Sequence, residues 1–142
     1  MHLWDTNIVR HFGQGHPTLR LYLFRVPWVE IALPSVVVAE MLRGRCDSAL
    51  KASPAEAPLA HQRLLETQQM LAQFRVIRFD ESCATVLEQL RQKHKRRKRY
   101  ADLMIAAMAK AGGHLVVTRN HQDFADLLPQ SQLANWIDDP PR

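Results

Sequence analysis

The stretch Tyr100-Ala-Asp-Leu-Met-Ile-Ala-Ala-Met-Ala-Lys-Ala-Gly-Gly-His-Leu-Val-Val-Thr118 decides how this chain folds. From Leu103 to Ala109 no side chain is polar, which predicts a helix over Ala101 to Ala111 that is buried on most of its faces. Gly112-Gly113 ends it, and Leu115 to Thr118 reads as a short apolar strand. Asp102 stands at the front of this helix, where a buried carboxylate is costly unless a cation compensates it. Just before it, Lys93-His-Lys-Arg-Arg-Lys-Arg99 carries six formal positive charges in seven residues. An acid pointing into the fold beside a basic surface suits a metal-dependent enzyme acting on a polyanion. Asp102 capping the helix, or pairing with an arginine, fits this segment equally well.

Working outward, Met1 to Trp4 reads as a first strand ending at Asp5, and Thr6 or Asn7 starts a helix through Phe12. Thr18 to Phe24 is helical or irregular. Val29 to Leu33 is a second strand, and Pro34-Ser35 opens a helix over Val36 to Arg43, with Ser35 as its N-cap and Gly44 as its stop. Ser48 to Pro58, with its prolines and alanines, reads as a loop. A helix over His61 to Phe74 follows, then a strand over Val76 to Phe79. Asp80 caps a helix over Ser82 to Lys95. After the fourth strand, Asn120 caps a short helix to Leu127, and Leu133 to Ile137 is a last short strand. Strands alternating with helices predict a parallel sheet flanked by helices.

With 142 residues, 46% hydrophobic and 23% charged, the chain is expected to be one globular domain over 1–142. The formal net charge of +5 fits a polyanionic partner, and the basic run accounts for all of it. Cys46 and Cys83 lack paired metal-ligand spacing. Together with an N-terminus unlike a signal peptide and no apolar run of membrane-spanning length, they predict a cytoplasmic protein with no membrane partner. No phosphate-cradling Gly-rich loop followed by Lys and Ser/Thr occurs, and no His-Glu-x-x-His zinc pair. Trp4, Trp28 and Trp136 are expected in the core or an interface rather than as base-stacking platforms.

In a parallel sheet, ligands gather outside the carboxyl ends of the strands. Asp5 ends the first strand, and Asn120 and Asp123 follow the fourth. Glu40 lies among apolar neighbours in Val36-Val-Val-Ala-Glu-Met-Leu42, and Asp102 is the fourth acid. Clustered carboxylates stay ionised only with a cation between them, and oxygen-only ligands select Mg²⁺ or Mn²⁺ over zinc. Each residue also has an ordinary explanation. Asp5 can cap the helix at Thr6, Glu40 can be an exposed helix residue, Asp123 can favour the helix dipole, and Asn120 can be a cap only.

At these residues the chain resembles the PIN-domain ribonucleases, specifically the VapC toxins of VapBC-type toxin–antitoxin pairs. The matching pieces are Leu3-Trp-Asp-Thr-Asn-Ile8, Ser35-Val-Val-Val-Ala-Glu-Met-Leu-Arg-Gly44, Ala101-Asp-Leu-Met-Ile-Ala-Ala107 and Val116-Val-Thr-Arg-Asn-His-Gln-Asp-Phe124, with Leu133-Ala-Asn-Trp136 near the end. The resemblance implies a three-layer α/β/α sandwich with a short, mainly parallel sheet. It implies Mg²⁺- or Mn²⁺-dependent endoribonuclease activity, with Asp5, Glu40 and Asp102 at the family's acidic positions and Asp123 at the fourth. Asn120, Thr6 and Thr118 are then supporting polar groups. A VapB-like antitoxin, an RNA substrate and a homodimer are the implied partners. The approach to the third acid departs from the family's short, glycine-containing form. Arg43, Arg45, Lys93, Lys95, Arg96, Arg97, Lys98 and Arg99 are the candidates for RNA-backbone contacts, which supply affinity rather than sequence choice. A non-catalytic nucleic-acid-binding module, or a protein-interaction module, on the same fold is the competing reading.

Overall fold

A computed structural model of the chain describes residues 1–95 and 99–142. Five parallel strands form one sheet in the order β3-β2-β1-β4-β5, built from β1 (His2–Trp4), β2 (Ile31–Pro34), β3 (Arg75–Ile77), β4 (Leu115–Val117) and β5 (Leu133–Ala134). The helices are α1 (Thr6–Gly13), α2 (Pro17–Leu23), α3 (Ser35–Lys51), α4 (Ala57–Leu71), α5 (Glu81–Lys93), α6 (Tyr100–Gly112) and α7 (His121–Phe124). The result is the expected α/β/α sandwich. A parallel pair needs a crossover between its strands, and the intervening helices supply it. Because helices cover the sheet, its inner strands are mostly apolar: every residue of β2 is buried, as are Leu3, Trp4, Val116 and Val117.

The stretch that decides the fold forms the centre of the molecule. Leu103 and Ile105 to Ala109 are buried on α6, where alanines permit close approach to neighbouring elements. Gly113 ends α6 in the left-handed region at φ 66°, a conformation that costs other residues dearly. The chain then enters β4, which pairs with β1 in the register His2–Leu115, Leu3–Val116 and Trp4–Val117. Trp4 is fully buried, surrounded by the rings of Phe12, Trp28, Phe74 and Trp136 at 5.4–6.3 Å. Trp4 and Trp136 are thus core residues, while Trp28 is partly exposed at the rim.

Several expected boundaries move. Gly44 does not stop α3, which runs on to Lys51; packing against α4 outweighs the modest helix penalty of one glycine. Ser35 is the first helical residue rather than the N-cap, and Pro34 holds the cap position without a side-chain bond. The expected loop over Ser48 to Pro58 shrinks, because α3 and α4 take its two ends. Pro58 sits at the start of α4, where its missing N–H is harmless. Val29 belongs to a single 3₁₀ turn, Trp28–Glu30, before β2 begins. Asp80 does cap α5, accepting from the Cys83 N–H at 3.0 Å. Among the described residues no helix is long and apolar enough to cross a membrane.

Candidate metal centre

Strand order reverses at β1. From it the chain steps through β2 and β3 to one edge, and β4 and β5 fill the other side. The crevice outside the carboxyl ends of β1 and β4 is therefore the place where this architecture leaves room for a ligand. Asp5 and Thr118 are the residues that immediately follow the paired ends Trp4 and Val117. The Asp5 N–H continues the ladder, donating to the Val117 carbonyl at 3.2 Å.

Asp5 is buried and both its oxygens are partnered. Oδ1 accepts the Ile8 N–H at 3.0 Å, capping α1, and Oδ2 accepts the Thr118 hydroxyl at 2.5 Å. Thr118 is fully buried; its oxygen accepts the Asn120 N–H at 3.0 Å, so its one proton points at Asp5. The ordinary explanation of Asp5 as a helix cap is thus correct and incomplete. A carboxylate has about four acceptor positions, and two bonds leave lone pairs facing the crevice. Burial pushes the Asp5 carboxyl above the usual range, opposed by the bonds from Thr118 and Ile8 and aided by the charge of Glu40.

Glu40 comes from the middle of α3. Its Oε1 accepts the Thr6 hydroxyl at 3.0 Å, and its Oε2 lies 3.4 Å from Arg99 Nη2. Asp102 occupies the first turn of α6, but the cap position belongs to Arg99, which makes no capping side-chain bond. Burial raises the Asp102 carboxyl; Arg99 opposes the shift, while Asp123, Asp5 and Glu40 add to it. The four acids therefore feel one another. Asp5, Glu40, Asp102 and Asp123 line a single cavity of about 60 Å³, with Thr6 and Asn120 also in its wall. Asn120 occupies the cap position of α7 without a side-chain capping bond; its backbone donates to the Thr118 hydroxyl oxygen and accepts the Asp123 N–H at 3.1 Å.

Asn7, Arg10 and Arg99 complete the polar wall. Asn7 and Arg10 escape a reading of motifs alone, although Arg10, four residues after Thr6 and three after Asn7, shares a helix face with each. Thr118, in contrast, lies behind Asp5 rather than in the wall. Arg43 is exposed on α3. Arg45 donates to the Thr67 hydroxyl at 3.1 Å and lines a larger groove of about 690 Å³ between α1, α3 and α4. That groove shares Arg10 and Glu40 with the acidic cavity. Lys93 and Lys95 are exposed, and Arg96, Arg97 and Lys98 lie outside the described residues.

Four carboxylates line the cavity, and their oxygens suit a hard divalent cation. Among the described residues no three acidic, histidine or cysteine side chains close to metal-binding geometry. The fit is thus one of donor chemistry and charge.

A protein-family model described as the PIN domain matches residues 3–127. Among solved structures, the chain is similar to FitAcB from Neisseria gonorrhoeae, with 27% identity, 98% of this chain and 100% of that one covered, and a TM-score of 0.73. It is also similar to VapBC2 from Rickettsia felis bound to a DNA fragment from its promoter, at 25% identity over 95% and 98% of the chains, with a TM-score of 0.68. A toxin–antitoxin complex from Klebsiella pneumoniae matches at 23% identity over 96% and 98%, with a TM-score of 0.69. No curated protein sequence matches the chain.

Proposed function

Since this chain belongs to the PIN domain family, we propose that it is an Mg²⁺- or Mn²⁺-dependent endoribonuclease of the VapC type, restrained by a cognate VapB-like antitoxin. The observation that carries this reading is the meeting of Asp5, Glu40, Asp102 and Asp123 in one polar cavity at the switch point of the sheet. The likeness to VapBC and FitAB assemblies supports the antitoxin. The groove beside the cavity supports it further, because a partner segment seated there reaches Glu40 and Arg10.

Asp5 and Asp102 would be the principal ligands of the divalent ion, and Asp123 would complete the set with Asn120 beside it. A divalent ion bound there supplies charge to polarise the phosphodiester and to lower the pKa of water. Thr118 fixes the Asp5 carboxylate through its hydroxyl, and Thr6 does the same for Glu40. Glu40 would bind the ion through water or take the proton of the attacking water. That water's oxygen forms a bond to phosphorus in line with the leaving 3′-oxygen, the bond from phosphorus to that oxygen breaks, the 3′-oxygen takes a proton from solvent to leave as a hydroxyl, and the 2′-hydroxyl takes no part. Arg43, Arg45 and the basic residues from Lys93 to Arg99 hold the RNA backbone, and two copies of the chain form the working dimer.

RNA cleavage by the purified chain tests this. With Mg²⁺ or Mn²⁺ present the wild type cleaves, and EDTA abolishes the reaction. Asp5→Asn and Asp102→Asn each lower the rate by at least about 100-fold, the upper end of what loss of an outer-shell partner of a metal site costs. Cleavage indifferent to the chelator and to both substitutions overturns the proposal. Salt-sensitive RNA binding without cleavage under any divalent ion favours a non-catalytic binding module instead.

A further inference from the structure

The acidic cavity already holds a cation of the chain's own. Arg99 immediately precedes α6, three residues ahead of Asp102, and its side chain lines the cavity together with all four acids. Its Nη2 lies 3.4 Å from Glu40 Oε2, a pair in which the arginine side chain is 69% exposed and the glutamate 20%. Glu40 is therefore held on both oxygens, by the neutral Thr6 hydroxyl on one and by a positive charge on the other. The same guanidinium is the leading opposing charge on Asp102, whose carboxyl burial pushes up. Arg10 also reaches the cavity wall, but its Nη1 is directed to the Asn7 side-chain oxygen at 3.5 Å.

We propose that Arg99 is a built-in counter-cation of this site that competes with the divalent ion for Glu40, so that metal entry and release of Arg99 are a single exchange. This rests on the metal-site reading given above and adds a regulating residue to it. The physical basis is charge and exposure. A guanidinium delivers one charge through a fork of N–H donors, and a largely exposed ion pair is weak enough to be broken. A divalent ion brings twice the charge to the same oxygens. Linkage makes the effect reciprocal: whatever the guanidinium costs the metal, the metal costs the guanidinium in equal measure. Once displaced, Arg99 stands at the mouth of the cavity with its donors free for a phosphate oxygen.

The test is direct Mn²⁺ binding by the full chain in the absence of RNA, followed by the EPR signal of the free ion. Wild type, Arg99→Ala, Arg99→Lys and Asp102→Asn are compared. Arg99→Ala is expected to bind Mn²⁺ about two- to fivefold more tightly, the range for losing an exposed ion-pair partner. Arg99→Lys, which keeps the charge, should stay closer to wild type, and Asp102→Asn should bind more weakly. In wild-type protein, Mg²⁺ should also shift the Arg99 Nε–Hε NMR resonance, assigned by its absence in Arg99→Lys. If Asp102→Asn weakens binding while Arg99→Ala leaves it equal to wild type or weaker, the competition is refuted and the metal site stands. If Asp102→Asn binds as wild type does, the ion lies elsewhere and both readings fall. An Nε–Hε resonance indifferent to Mg²⁺ likewise refutes the exchange.

Discussion

Asp5 shows how one residue serves structure and site together. Its carboxylate caps α1 with one oxygen and receives the Thr118 proton on the other, while its backbone extends the central ladder. Replacing Thr118 with valine keeps the volume but removes both the proton aimed at Asp5 and the acceptor for the Asn120 N–H. Thermal or denaturant unfolding should register a loss of about 1–3 kcal/mol, the cost of unsatisfied buried polar groups. If Asp5 holds the metal of an RNA-cleaving site as proposed, cleavage should fall about 10–100-fold, the range for a partner that orients a metal ligand.

Asp102 makes an opposite prediction for stability. Burial and its acidic neighbours raise its carboxyl, so between the ordinary carboxylate value and the raised one the folded chain binds more protons than the unfolded one. Stability therefore falls as pH rises through that window and is not recovered at neutral pH. Asp102→Asn removes the repelling charge, and its melting temperature at pH 7 should exceed that of wild type. The gain should disappear below about pH 3.8, where the ordinary carboxyl is itself protonated. Melting curves at pH 7 and pH 3.5 distinguish this from a change in packing, which persists at both.

At the scale of elements, the sequence speaks clearly where a residue breaks its surroundings. Asp102 interrupts an apolar run, and Asp5 follows a strand, so both stand out. Gly44 misleads, because a glycine after an apolar stretch looks like a stop, and only α4 lying alongside reveals why α3 continues. The pairing of Arg99 with Glu40, 59 residues away, is invisible to any local periodicity. Arg10 is legible by helical spacing, four residues after Thr6 on α1, whereas Asn7, the next residue after Thr6, is not. The two glycines give a paired test. A Cβ at Gly113 meets no atom within 4 Å, yet φ is +66°, so Gly113→Ala should cost about 1–2 kcal/mol through backbone strain alone. A Cβ at Gly44 also meets nothing, and the backbone there is helical. Gly44→Ala should instead stabilise by about 0.5–1 kcal/mol. Chemical denaturation of the two variants should shift in opposite directions.

At the scale of the whole molecule, the sheet gathers four acids in a narrow crevice that two arginines, Arg10 and Arg99, also line, while Arg43, Lys93 and Lys95 are exposed away from it. The layer architecture was legible because strand and helix patterns alternate along the entire chain. The closeness of the acids was not, since it depends on which strands become neighbours, and β1 acquires β4 only through a long crossover. If the exposed Lys93 and Lys95 touch RNA phosphates as proposed, each contributes about 0.7 to the slope of log binding constant against log salt on a single strand. Converting both to alanine should flatten that slope by roughly 1.4. An unchanged slope places the RNA on another face.

The pairing of Asp5 with Thr118 spans 113 residues of chain. During synthesis β1 emerges first and waits in the middle of a sheet whose other half has not been made. Neither the hydroxyl that orients Asp5 nor the helix carrying Asp102 exists until most of the polypeptide has left the ribosome. If the site cleaves RNA as proposed, a nascent chain of this design spares the message and the machinery that produce it. Activity then begins only when β4 closes against β1, which leaves the greatest part of translation as time for the proposed antitoxin to be at hand.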